Sequence, residues 1–133
     1  MSVVLALDSA RRRGGAVAVA EGGDLLALVE HDPSGGYAEA FFGLADQALA
    51  RAGLGRQEVE EVAVVSGPGS FTGLRIGVMT AKSLAYARGW LLRAAGSLEV
   101  LAARAPEDRR ALAVMDAGRD ALYAAVLRRT GEE

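Results

Sequence analysis

The run Val62-Ala63-Val64-Val65-Ser66-Gly67-Pro68-Gly69-Ser70-Phe71-Thr72-Gly73-Leu74-Arg75-Ile76-Gly77 sets a buried strand, a glycine-rich turn and a helix start side by side. Its first four residues are uniformly apolar, as in a strand covered on both faces. Gly67, Pro68 and Gly69 then break the chain. From Phe71 to Arg88 the pattern is helical, with Ser70 or Thr72 as the cap and Gly89 as the stop signal. A helix N-terminus presents unpaired backbone N–H groups, and glycines allow close approach to them. Such a junction can hold a phosphate, position a partner-binding helix, or serve only the fold.

Upstream, Val3–Leu7 is a continuous apolar run ending at Asp8, the pattern of a central strand buried on both faces. Ala16–Ala20 and Leu25–Glu30 read as two further strands around the hairpin signal Gly22-Gly23-Asp24. Tyr37–Ala52 is helical and stops at Gly53 and Gly55. Downstream of the second long helix, Ser97–Arg104 forms a short third helix. Ala111–Met115 and Ala121–Leu127 are two final strands. The order β-β-β-α-β-α-α-β-β predicts an α/β fold, a mixed five-stranded sheet with flanking helices. This is the ribonuclease-H-like, actin-like order. Residues 1–105 form one such lobe, and 106–133 open a second lobe.

Both long helices carry more apolar surface than one sheet contact needs. In the first, Tyr37, Phe41, Phe42, Leu44, Ala45, Ala48, Leu49 and Ala52 span nearly half the circumference. In the second, Leu74, Gly77, Val78, Ala81, Leu84 and Ala85 form the expected core face. Ile76, Met79, Thr80, Ser83 and Tyr86 leave the opposite side small and mildly apolar. A partner interface built from Tyr37, Phe41, Phe42, Leu49, Ile76, Met79, Ser83 and Tyr86 follows.

Composition bounds the chemistry. The chain has 133 residues, 51% of them hydrophobic and 24% charged, and a net charge of −2, so no global field favours nucleic acid. The short basic run Arg11-Arg12-Arg13 reads as a solvated loop. There is no cysteine, which removes thiol nucleophiles and thiolate metal sites and suits a reducing cytoplasm. No apolar stretch reaches membrane-span length. His31 is the only histidine and has no motif around it, so it reads as a surface residue.

Nucleotide templates fit the glycine loop poorly. Its spacing is G-x-G-x-x-x-G, not the dinucleotide G-x-G-x-x-G, and Lys82 lies too far along for a P-loop. Asp8, with Ser9, is the remaining candidate for nucleotide chemistry, because an Asp ending the first strand is where actin-like ATPases approach Mg²⁺ and phosphate. Ala10 and three arginines stand where those proteins usually have glycine. The alternative for Asp8 is a hydrogen bond to the neighbouring turn, and Asp116 has the same ambiguity.

Three motifs together resemble the TsaB (YeaZ) family: Leu5-Ala6-Leu7-Asp8-Ser9-Ala10, the signature Gly67-Pro68-Gly69-Ser70-Phe71-Thr72-Gly73-Leu74-Arg75, and Ala113-Val114-Met115-Asp116-Ala117-Gly118-Arg119 with Leu122-Tyr123. The resemblance implies a bacterial, non-catalytic scaffold for tRNA N6-threonylcarbamoyladenosine formation. It would pair with the paralogue TsaD, join the ATPase TsaE through that complex, form a homodimer when alone, and meet tRNA only indirectly. It implies no cofactor and no metal. Ser97 and Leu101 stand where TsaD carries an H-x-x-x-H metal pair. The alternative is an actin-like ATPase or kinase fragment that uses Asp8. Relative to the family, the second lobe is short.

Overall fold

A computed structural model describes residues 1–31 and 37–130, the side chains of residues 37–40 excepted. The five-stranded sheet has the order β3-β2-β1-β4-β5. Its strands are β1 (Val3–Asp8), β2 (Ala16–Glu21), β3 (Asp24–Glu30), β4 (Val59–Val65) and β5 (Leu91–Ala95). β1, β2 and β3 form an antiparallel meander, whereas β4 runs parallel to β1 and β5 parallel to β4. This is the mixed α/β sheet expected from the sequence. β5 is the element that reading lacked. It is five residues between Gly89 and Gly96, it shows no alternation, and it lies at the sheet edge with Leu91 and Leu92 exposed. Neither period nor burial marks it.

Helices α1 (Tyr37–Ala52) and α2 (Phe71–Arg88) pack on one face of the sheet. Leu5, Leu7, Val17, Val19 and Val62 are fully buried beneath them, as is Phe41 of α1 itself. Each aliphatic side chain so buried stabilises the fold by roughly 1.5–3 kcal/mol. The opposite face has no helix on it among the described residues. Val4, Ala6, Ala16, Ala18, Ala20 and Ala63 are only half-buried there, which corrects the expectation that β1 is covered on both sides.

A single 3₁₀ turn (Arg56–Glu58) follows α1. It is tied back by a bidentate pair, Arg56 Nε and Nη2 donating to the two Asp46 oxygens at 2.8 and 2.6 Å. The hydrogen bond and charge of Asp46 raise the Arg56 pKa above its ordinary value. After β5, α3 (Ser97–Ala102) ends two residues before the expected Arg104. It packs against β6 (Arg110–Gly118) and β7 (Ala121–Arg128), which pair as a separate antiparallel hairpin.

Candidate functional site

The glycine-rich turn is filled by the chain itself. Ser70 is the N-cap of α2, its Oγ accepting from Gly73 N at 3.2 Å, and Gly89 closes the helix in the left-handed conformation at φ 69°. The loop leaving β1 lies directly on this first part of α2. Ser70 N donates to the Ala10 carbonyl at 2.8 Å. A Cβ at Gly69 would stand 2.4 Å from the Ala10 carbonyl oxygen, and one at Gly73 would stand 2.1 Å from that of Ser9. At Gly77 it would meet the Ser9 Oγ at 2.0 Å. Glycines four residues apart lie on one helix face. Gly73 and Gly77 therefore share one face of α2, and Gly69, just before the N-cap, extends it into a side-chain-free groove into which Ser9 and Ala10 are keyed. From the sequence, Gly69 and Gly73 belong to the turn and Gly77 to the core face of the second helix. The four-residue spacing was visible, but its meaning depends on a strand remote in sequence.

Other polar groups of the turn are also engaged internally. Ser97 N donates to the Gly67 carbonyl at 2.8 Å, and Ser97 Oγ donates to the Pro68 carbonyl at 2.6 Å. Phe71 opens α2 with its ring 75% exposed, and the Arg75 guanidinium lies 5.5 Å from the ring centroid. Thr72 and Arg75 line a groove toward α1.

Asp8 lines a cleft of about 220 Å³ with Ala10, Arg11, Ser97, Leu101, Arg104 and Met115. Its Oδ1 accepts from Ala10 N at 3.0 Å, so the carboxylate supports its own turn. Asp116 makes the same bond to Gly118 N at 2.7 Å. Ser9 does not face the cleft, being fully buried with its Oγ unbonded. Ser97 and Leu101 both reach the cleft, but a hydroxyl already donated to Pro68 and an aliphatic side chain supply no metal ligand pair. Among the described residues, no three His, Cys, Asp or Glu come together. His31 is half-buried beside Phe41, the ring centroids 6.3 Å apart, which corrects its reading as a surface residue.

The apolar side of α1 and α2 forms a second concavity of about 350 Å³, lined by Phe42 from α1 and by Ile76, Met79, Thr80 and Ser83 with Thr72 and Arg75 from α2. Phe42 is 44% exposed, Met79 60% and Tyr86 94%. Phe41 and Leu49 are buried in the core and leave the candidate interface. α1 is wide because it serves the sheet with one stripe and α2 with another. Ile76 is half-buried against the core at the groove floor. Thr80, expected on the open side, is buried, and its Oγ1 is satisfied within the helix by donating to the Ile76 carbonyl at 2.8 Å. Leu74, expected in the core, lies over Gly67. Tyr37 lies in α1, and its side chain falls outside the described residues.

The family model described as TsaD, tRNA N6-adenosine threonylcarbamoyltransferase, matches residues 33–133. The chain belongs to the TsaD family. It is 46% identical over 72 residues to the tRNA N6-adenosine threonylcarbamoyltransferase of Brucella ovis and 44% to that of Brucella canis, in each case 47% of this chain and 20% of the relative. Among solved structures it is similar to YeaZ from Pseudomonas aeruginosa, with a TM-score of 0.83 and 30% identity over 96% of this chain and 61% of that one. A second structure, of an uncharacterized Pseudomonas aeruginosa protein with similarity to peptidase YeaZ, gives a TM-score of 0.84 and 27% identity, covering 100% of this chain and 65% of that one. This chain thus spans about a fifth of the curated TsaD-family transferases and less than two thirds of the YeaZ-like structures. The resemblance to YeaZ read from its motifs holds for the fold, and the family is one of tRNA modification. Among the described residues, no helix is long and apolar enough to cross a membrane.

Proposed function

We propose that the chain is a non-catalytic subunit that supports TsaD, with TsaE, in forming N6-threonylcarbamoyladenosine in tRNA. It acts by docking its α1–α2 face on TsaD, and in the absence of TsaD on a second copy of itself. The observation that carries this reading is the apolar groove where Phe42 and Met79 stay exposed while their neighbours Phe41 and Leu49 are buried. Exposed aromatic and methionine side chains around a concavity are what the centre of an interface is made of. Ser97 and Leu101 at the positions of the TsaD histidines support a role without metal chemistry of its own, as does Asp8 held in its turn.

The test is pairing with purified TsaD. Phe42→Asp and Met79→Asp should each weaken it by about 30-fold or more, the effect of losing a hot spot worth about 2 kcal/mol, with little change in thermal stability. Wild-type co-purification of both variants would place the interface elsewhere. For the alternative, an ATPase using Asp8, calorimetry with Mg-ATP is expected to show no heat. Binding that disappears in Asp8→Ala would favour the enzyme reading instead.

A further inference from the structure

The basic run Arg11–Arg13 takes no part in the α1–α2 face. It leaves β1 after the keyed residues and meets the tip of the β6–β7 hairpin, where an Arg12 guanidinium nitrogen stands 3.4 Å from the position of a Cβ on Gly118. Arg119 follows at that tip, held with Asp120 at positive φ (52° and 58°). Arg11 and Arg104 line the cleft beside it. Three segments remote in sequence therefore bring four exposed arginines, Arg11, Arg12, Arg104 and Arg119, to one rim, with exposed Arg13 next along the chain. Arg12, Arg13, Arg104 and Arg119 form no ion pair among the described residues, whereas Arg56, Arg93, Arg128 and Arg129 elsewhere do. The carboxylates nearest in the chain are Asp8, Glu107, Asp116 and Asp120; Glu107 is paired with Arg129, and the other three offset only part of the arginine charge. The rim is left with a positive excess in a chain of net charge −2.

Clustered like charges repel one another unless a counter-anion joins them. Guanidinium forks match phosphate oxygens bidentately. Several such forks, drawn from separate segments of the chain, offer more donors than one phosphate takes up. We propose that this arginine rim binds the phosphate backbone of RNA, so that the chain contacts tRNA directly. The choice of RNA rests on the tRNA-modification reading above, but the rim does not depend on the docking face.

The probe is a labelled tRNA transcript titrated with the full chain and followed by anisotropy between about 50 and 200 mM salt. Four phosphate contacts at roughly 0.7–0.9 each predict a slope of log K on log salt of about −2.8 to −3.6. Arg12→Glu and Arg119→Glu, from different segments, should each weaken binding by roughly 5- to 10-fold and flatten the slope by about 1. Lys82→Glu makes the same charge change toward the far half of α2 and should leave binding within about twofold. Phe42→Asp should retain RNA binding while losing TsaD pairing, which separates a failure of this inference from a failure of the docking reading. The inference is overturned if the wild-type chain shows no salt-dependent RNA binding at about 50 mM salt. It is equally overturned if Lys82→Glu costs as much as the two arginine variants.

Discussion

Gly73 and Gly77 are held as glycine by the loop that lies on them, and substitution measures that contact. Gly73→Ala must push a Cβ into the Ser9 backbone carbonyl, so it should lower the unfolding free energy by about 3 kcal/mol, at the upper end of overpacking costs, in a urea titration. Gly43 is the control. It lies inside α1 with nothing within 4 Å of an added Cβ, and Gly43→Ala should raise stability by about 0.5–1 kcal/mol. Ser9 is the reverse case, a fully buried hydroxyl with no hydrogen-bond partner. An orphaned polar group costs roughly 1–3 kcal/mol, so Ser9→Ala should equal or exceed the wild-type protein in the same titration. A clear loss would reveal a partner for the hydroxyl. At this scale the sequence was legible where residues act locally. The stop at Gly89 is read directly, while the cap at Ser70 and the turn bond of Asp8 are each one of two local alternatives. It was not legible where a residue answers to a distant segment. Phe41 and Phe42 are adjacent phenylalanines on one helix, and only the packing of α1 on the sheet separates a core residue from a surface one.

At the scale of elements, α2 joins three roles: it caps the glycine turn, receives the β1 loop and lines the groove with α1. Ser70→Ala removes the side-chain acceptor for Gly73 N and should cost about 1 kcal/mol, read from the thermal or urea midpoint. Because the keyed loop also holds the helix start through Ser70 N and the Ala10 carbonyl, the proposed pairing with TsaD should survive this loss. The strands β1 and β4 were readable because central strands are long apolar runs between turn signals. β5 was not, since an edge strand needs little burial and its five residues carry no period. The short α3 begins at Ser97 as expected and ends two residues earlier than expected.

The whole molecule is lopsided. A sheet with two helices on one face carries a separate hairpin attached mainly through α3. The outer side of that hairpin exposes Leu112, Val114, Leu122 and Val126. A two-stranded sheet is marginal alone, so β6 and β7 should be the least protected strands. Amide exchange there is expected to run at least about tenfold faster than in β1 and β4, reflecting a local opening free energy lower by 1.4 kcal/mol or more. Equal protection would mean the molecule unfolds as one unit. The keyed loop also constrains how chains of this kind diverge. The Ser9 hydroxyl occupies the space a side chain at position 77 would need. A lineage therefore acquires alanine at 77 at least cost after residue 9 has lost its hydroxyl. The reverse order passes through a destabilised ancestor, so the two positions share one evolutionary path with a favoured direction.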